Sequence, residues 1–367
     1  MFWSRATRLY TRNALIYMYD TLLESVPATA LGSNVMRKGA LLLVVALAGS
    51  AMFARNLEIF FIDTEGGQST LIVSPSGQTL LIDAGYSDYS GRDADRIADA
   101  AKVGHVKRID YLLITHHHSD HEGGVPNLLE RLPVGVFFDP GPSVETSAEH
   151  QRTYEAYLET VKDRDRRIVK PGDTIPVKGL EVTVVTANGG HIDRPLNGAG
   201  QPNPFCAGIE PQKDENAENA RSAGVIVELG KFRFADFGDL TWNKEVALLC
   251  PENRVGKVDL YLISHHGGEG SKAIYGMAPR VAIMNNGPRK GGDPAGWKTV
   301  KGSPGLEDLW QLHFAIAGGS ATNAPDPMIA NLEERCAGNY LKVTAQENGS
   351  FEIFNPRNKY SKTYPAR

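Results

Sequence analysis

Cysteine is scarce in this chain: Cys206, Cys250 and Cys336 are the only three in 367 residues. Three thiols cannot build a disulfide framework, and their separations match no zinc-binding cysteine spacing. One disulfide beside one free thiol suits an exported protein, while buried, idle thiols suit any compartment. Charge of one sign is also lacking. With 39 Lys and Arg against 43 Asp and Glu the formal net charge is −4, so no global basic field gathers a polyanion, and such a partner would need a local patch. Long hydrophobic runs are missing too. The apolar stretch from Ala40 to Ala48 is too short for a comfortable membrane span. Arg37 and Lys38 before it and small residues after it give the layout of a secretory signal, the alternative being an uncleaved anchoring helix. Residues 1–35 make a long leader for such a signal, and a second methionine stands at Met36. The expectation is therefore a true start at Met36, a leader over residues 1–54, a folded domain over residues 55–367, and export to the periplasm or the medium. Membrane contact is expected only if that leader stays uncleaved. None of the cysteines follows the apolar run closely enough for a lipid anchor.

What is present is the composition of a soluble globular protein, 41% hydrophobic and 22% charged. From Leu57 the pattern is of short strands and turns. "LEIFFID" and "STLIVSPSGQTLLIDAG" read as strands, with "SPSG" a hairpin turn because Pro presets φ and Gly tolerates positive φ. Helices are expected from Asp93 to Lys102, over residues 123–132 up to Pro133, and across "SAEHQRTYEAYLETVKDRDRR". Residues 188–220 read as a long irregular insertion, rich in Gly and Pro and then charged. "AGVIVELGKFRFADFGD" reads as a second hairpin, "GLEDLWQLHFAI" as helical and then extended, and Asn348-Gly349 as the turn of a closing hairpin.

Two segments carry the chemistry. In "RIDYLLITHHHSDHEGG" a buried strand delivers histidines at its end. His116 and His118 are two apart, so in extended backbone both rings leave on one side and can bind one ion. Asp120 and His121 follow as the chain turns, where a carboxylate and an imidazole reach a second, neighbouring ion. Gly123 and Gly124 permit close backbone passage beneath them. A solvated His-rich loop would not need a buried strand to feed it. "VDLYLISHHGG" repeats the scheme with His265 and His266, which points to two related halves meeting at one site. Adjacent strand residues face opposite ways, so one of this pair is expected to ligate and the other to support it or donate a proton.

His116-x-His118-x-Asp120-His121 resembles the signature of the metallo-β-lactamase-fold hydrolases, which implies an α/β (α+β) fold, a four-layer αββα sandwich with metals between its sheets. "FFIDTEGGQSTLIVSPSGQTLLIDAG", "NARSAGVIVELGKFRFADFGDL" and "LISHHGG" resemble successive blocks of the hydrolase domain of the competence protein ComEC, although Glu65-Gly66-Gly67-Gln68 departs from its usual wording. The resemblance implies that Asp239 bridges the metals, one oxygen to each, and favours His266 over His265 because glycine follows it. Many family members carry a further histidine ligand, for which His191 is the candidate. Asp63, Asp83, Asp110 and Asp259, at strand ends, are expected to support ligands or turns.

The implied cofactor is a pair of divalent ions, zinc with manganese or iron as alternatives, sharing a bridging hydroxide for metal-assisted hydrolysis. Asp120 can orient the nucleophile, and the non-ligating member of His265 and His266 can protonate the leaving group. The ComEC resemblance implies phosphodiester or nucleic-acid-like substrates. "NNGPRKGGDPAGWKTVKG", a Gly-rich loop with Arg289, Lys290, Lys298, Lys301 and Trp297, either receives a phosphate or is solvated surface. Lactone or β-lactam hydrolysis and a non-catalytic binding module are the competing readings. Nothing in the sequence points to a protein partner.

Overall fold

Alternation decides the first strand. In the computed structural model, which describes residues 56–213, 217–268 and 270–367, β1 (Leu57–Phe61) sends Leu57, Ile59 and Phe61 into one core and Phe60 into another. A strand covered on both faces needs no polar side. The expected leader, residues 1–54, lies outside the described residues. β2 (Thr70–Val73) and β3 (Thr79–Ile82) follow as antiparallel neighbours. Their turn is the one anticipated in "SPSG", closed by Gly77 N donating to the Ser74 carbonyl at 2.9 Å. β4 (Ile109–Leu113), β5 (Val134–Asp139) and β6 (Asp165–Ile168) then add in parallel.

The chain next builds a second sheet from β7 (Glu181–Ala187) and β8 (Gly190–His191), leaves it briefly at β9 (Gln201–Pro202), and returns with β10 (Gly224–Leu229) and β11 (Phe232–Asp236). β12 (Glu252–Asn253) pairs with β9 outside it. β13 (Leu260–Leu262), β14 (Val281–Met284), β15 (Asp308–His313) and β16 (Ile329–Asn331) extend the second sheet in parallel. Finally β17 (Leu341–Ala345), β18 (Phe351–Asn355) and β19 (Tyr360–Tyr364) join the first sheet beside β1. The orders are β19-β18-β17-β1-β2-β3-β4-β5-β6 and β16-β15-β14-β13-β11-β10-β7-β8.

Three apolar clusters define the layers. Ile59, Phe61, Ile82 and Leu113 from the first sheet meet Val184, Val225, Phe234 and Leu262 from the second. Phe60, Leu81 and Leu112 pack under Ile97 of the helix Asp88–Val103 and Tyr157 of the helix Ala148–Val161. Ile226, Tyr261 and Met284 pack under Leu248 of the helix Trp242–Leu249 and Val300 of the helix Pro294–Lys301. The arrangement is a four-layer αββα sandwich. β4 and β13 lie in parallel runs of the two sheets, and loops leaving the carboxyl ends of such strands are where α/β folds gather ligands.

Local expectations were revised in five places, the first being the helix expected through Arg167, which ends at Val161 before strand β6 begins at Asp165. The helix expected over residues 123–132 is only Val125–Leu129. "GLED" forms no helix, because Leu309, Trp310 and Leu312 are buried as strand β15. The segment 285–302, read as a loop, contains the helix Pro294–Lys301, capped by Asp293 accepting from Ala295 N, with Pro at its first turn. The 188–220 segment is tied down by β8, by the β9–β12 pair and by a disulfide from Cys206 to Cys250. Cys206→Ser is expected to lower unfolding stability by about 2–4 kcal/mol, read as a drop in the urea midpoint. An unchanged midpoint would mean that hydrogen bonds such as those from Asn203 Nδ2 to the Leu249 and Ala273 carbonyls hold the segment unaided.

Candidate metal centre

β4 hands the chain to a short, over-determined turn. Thr115 N and Oγ1 both donate to Asp83, at 2.7 and 2.8 Å. The helical turn Ser119–Glu122 begins after extended His118 and carries Asp120 and His121. It is bound to the end of β3 by Ala84 N to the His121 carbonyl at 2.7 Å and Gly124 N to the Gly85 carbonyl at 2.8 Å. From the opposite sheet β11 ends in a turn at Gly238, where φ is +57°, and delivers Asp239. β13 ends before His265 and His266, which both take positive φ, 53° and 54°. The expectation that they would alternate along a strand therefore does not hold: a strained turn separates their rings, and His265 N donates to the Gly238 carbonyl at 3.1 Å.

These turns bring the two sheets' residues together. Asp239 Oδ2 lies 3.2 Å from His266 Nε2, 3.3 Å from His121 Nε2, 3.8 Å from His265 Nε2 and 4.0 Å from His116 Nε2. Asp120 Oδ2 lies 3.1 Å from His266 Nε2 and 3.2 Å from His121 Nε2. His116 Nε2 and His118 Nδ1 face each other at 3.0 Å. The potential ligand atoms of Asp120, His121, Asp239 and His266 all fall within 4.8 Å of one another. His265 stands at the rim, its side chain 50% exposed, against 1% for His266. His191 is not brought into this group: it sits on β8, its Nδ1 donating to the Ile192 carbonyl at 2.8 Å.

Electrostatics fit a cation here. Burial alone would raise both carboxyls, yet the His121 and His266 imidazoles hold Asp120 and Asp239 well below the usual range, with Lys290 adding to the effect on Asp120. Burial works against a charged His121, and Asp239, Asp120 and Asp83 outweigh it, holding its pKa well above the ordinary histidine value. His116 goes the other way, pushed well down by burial and by His121. Asp239 Oδ1 and His266 Nδ1 are buried without a hydrogen-bond partner. A buried carboxylate oxygen left unpaired is costly, and nitrogen and carboxylate donors are the set that zinc, manganese and iron accept.

Supporting groups aim the rings. Asp83 Oδ2 accepts from His121 Nδ1 at 2.7 Å, Thr115 Oγ1 meets His116 Nδ1 at 3.1 Å, and Glu145 Oε1 accepts from His118 Nε2 at 3.2 Å. Each leaves the other ring nitrogen facing the centre. Asp83→Asn is expected to lower metal affinity about 10–100-fold, measured by competition with a chromogenic chelator; unaltered affinity would reduce Asp83 to a turn former. The other strand-end acids divide. Asp110 and Asp259 accept from Thr79 N and Arg233 N as turn carboxylates, and Asp63 belongs to a different cluster. His117, central in the motif, turns away to Glu122 at 2.7 Å and the Gly141 carbonyl.

Sequence reasoning missed Glu145, His150, Tyr86 and Asn219. The His150 ring lies 4.6 Å from that of His118, centroid to centroid. Asn219 Nδ2 lies 3.3 Å from His265 Nε2. Of the basic cluster in residues 285–302, Lys290 alone is recorded at the site, where its ammonium donates to Asp120 and to Tyr86 Oη. Arg289 pairs with Glu334 on the surface, and Lys298 and Lys301 sit in the last turn of their helix.

Fold and centre together define the class, an αββα sandwich with a buried imidazole–carboxylate cluster between its sheets. Residues 62–198, a segment that holds His116, His118, Asp120 and His121, match the Metallo-beta-lactamase superfamily model. Asp239, His265 and His266 lie beyond the matched stretch. The chain is 27% identical over 135 residues to a hydroxyacylglutathione hydrolase of Xylella fastidiosa, a match over 37% of this chain that spans 42% of the relative's length. Among solved structures it is similar to the metallo-beta-lactamase fold protein YhfI of Bacillus subtilis, with TM-score 0.41, 10% identity and coverage of 70% of this chain and 95% of that one. It is also similar to CmlA, a diiron beta-hydroxylase of Streptomyces venezuelae, with TM-score 0.36, 14% identity and coverage of 70% and 44%.

Proposed function

We propose that the protein is a metal-dependent hydrolase of anionic esters, with phosphodiester or nucleic-acid-like substrates foremost. The convergence of Asp120, His121, Asp239 and His266 from two sheets carries this reading. His116 and His118 would hold one divalent ion, Asp120, His121 and His266 a second, and Asp239 both. Bound there, such ions supply an activated water and polarise the oxygen of the scissile bond. The chain's own groups do the rest. Lys290, its side chain 45% exposed while touching buried Asp120, presents an ammonium to an incoming anion, with Tyr86 Oη beside it. His265, at the rim next to Asn219, stands where a leaving group is protonated. The turn that buries Asp120 and His121 keeps bulk water from their inner face.

The ComEC-like blocks support the phosphodiester choice. The similarity to a protein named hydroxyacylglutathione hydrolase supports a second reading, a thioester of glutathione, whose carboxylates Lys290 would also serve. The test is turnover by the purified, metal-reconstituted chain on bis-p-nitrophenyl phosphate, single-stranded DNA, a hydroxyacylglutathione and a chromogenic β-lactam. The phosphodiesters are expected to be cleaved; activity confined to the thioester or the lactam would displace that choice. Lys290→Ala is expected to raise KM for the phosphodiester about 10–100-fold, the equivalent of one hydrogen bond to a charged group, while sparing neutral p-nitrophenyl acetate. Equal losses on both would deny Lys290 a role in substrate charge. The Cys206–Cys250 disulfide supports reading the protein as exported, since such bonds persist in oxidising compartments.

A further inference from the structure

A second cluster shares no residue with the centre just described. Asp63 follows β1, His313 ends β15, and Cys336 lies in the segment between β16 and β17. Asp63 Oδ1 is 2.9 Å from His313 Nε2, Asp63 Oδ2 is 3.3 Å from Cys336 Sγ, and Sγ is 3.6 Å from His313 Nε2. Glu65 Oε1 is 3.8 Å from the same sulfur. Asp63 and His313 are fully buried, and His313 Nδ1 has no hydrogen-bond partner.

We propose that Asp63, His313 and Cys336, closed by Glu65, form a structural site for one transition-metal ion of the zinc class, which pins the Cys336 segment to the ends of β1 and β15. The separations from the sulfur to Asp63 and His313, 3.3 and 3.6 Å, suit it, while the 2.9 Å contact of Asp63 with His313 is a hydrogen bond that the ion would replace. A tetrahedral site with metal–nitrogen or metal–oxygen bonds of about 2.0–2.1 Å and a metal–sulfur bond of about 2.3 Å has ligand-to-ligand edges of about 3.3–3.6 Å. His313 Nε2 and the Cys336 thiol each reach a different oxygen of Asp63, and a cation would draw the imidazole, the deprotonated sulfur and the carboxylate to one point. A Cys–His–Asp nucleophile is the wrong description, because carboxylate and thiol face the same ring nitrogen instead of opposite ones.

Charge and backbone agree with the assignment. Arg96 donates to Asp63 Oδ2 at 3.0 Å and to Glu65 Oε1 at 2.8 Å, and its Nη2 lies 3.5 Å from Cys336 Sγ, so it orients all three groups. The negative charges of Asp63, Glu65 and a Cys336 thiolate are offset by Arg96, by Arg92 on Glu65 Oε2 and by a divalent ion. Gly338, with φ +69°, lets the segment close on the cluster, since a Cβ there would lie 2.2 Å from Arg96 Nε.

The full-length chain, stripped by chelator and reloaded with cobalt(II), tests this. Cys206 and Cys250 are joined in a disulfide and the His116–His266 centre contains no sulfur, so a thiolate-to-cobalt charge-transfer band in the near ultraviolet reports Cys336. The band is expected in the wild-type chain and in Asp239→Asn, and lost in Cys336→Ser, whose zinc content falls by one ion per chain. In the wild-type chain, zinc is expected to protect Cys336 from iodoacetamide and chelation to restore its labelling, a readout that requires no variant. No band in the wild type, an unchanged zinc count in Cys336→Ser, or full alkylation under saturating zinc would each overturn the site.

Discussion

Asp239→Asn is expected to abolish hydrolysis of every substrate the protein accepts, with the fold intact. Asparagine keeps the size of the side chain but removes the charge that faces four imidazoles, with Oδ2 between 3.2 and 4.0 Å from each. It also turns one of the two carboxylate oxygens into an NH2 group, which donates and cannot ligate, so the side chain can no longer offer an oxygen to each ion. Residues that only support a ligand cost about 10–100-fold in affinity or activity when replaced. A carboxylate shared by both ion positions is therefore expected to exceed that range and to cost about a thousandfold or more in kcat/KM. The checks are kinetics and bound-metal content, with circular dichroism to show an unchanged fold. A variant that retains both metals and full turnover would take Asp239 out of the centre.

Gly124→Ala is expected to be the most damaging small substitution in the metal-carrying turn. The backbone there is ordinary helical, with φ −74°, so strain is not the reason. An added Cβ would stand 2.0 Å from the Ala84 carbonyl oxygen and 3.2 Å from that of Tyr86, both backbone atoms that cannot rotate away. The same close approach lets Ala84 N reach the His121 carbonyl and Gly124 N reach the Gly85 carbonyl. Relieving the clash therefore moves Asp120 and His121 off the centre. Overpacking commonly costs about 1–3 kcal/mol, occasionally more; with backbone on both sides the expected loss is at or above the top of that range, and activity falls with it. Gly190→Ala is the control. Its Cβ would meet nothing nearer than 3.6 Å, and its urea midpoint is expected to stay within about 0.5 kcal/mol of wild type. Equal effects of the two substitutions would contradict the argument from contact.

The strands that carry the centre were legible because each reports itself locally. "YLLIT" and "LYLIS" are apolar runs of β-favouring residues that end abruptly in histidines, and both proved to be buried strands ending at the cluster. Spacing likewise reported the mutual approach of His116 and His118. The roles of Asp120, His265 and His266 depend on turns that periodicity does not encode, above all the two successive positive φ angles at His265 and His266. Lys290 was visible as a basic residue but not as a neighbour of Asp120. Its position follows from the segment at Gly287 packing on that at Glu65, where an added Cβ would lie 2.2 Å from the Glu65 carbonyl oxygen. Composition hid the helix Pro294–Lys301, because its glycines and lysines also suit a loop, and only the Asp293 cap and the Pro at the first turn marked it. Cysteine number alone could not pair Cys206 with Cys250.

The central claim is that two distant chain segments hold one pair of cations between two sheets. Anomalous diffraction at the zinc edge from zinc-loaded crystals of the full chain tests it directly. Two peaks flanking the Asp239 carboxylate are predicted, one beside His116 and His118, the other beside Asp120, His121 and His266. No anomalous density at Asp239, or imidazoles turned away from it, would contradict the account.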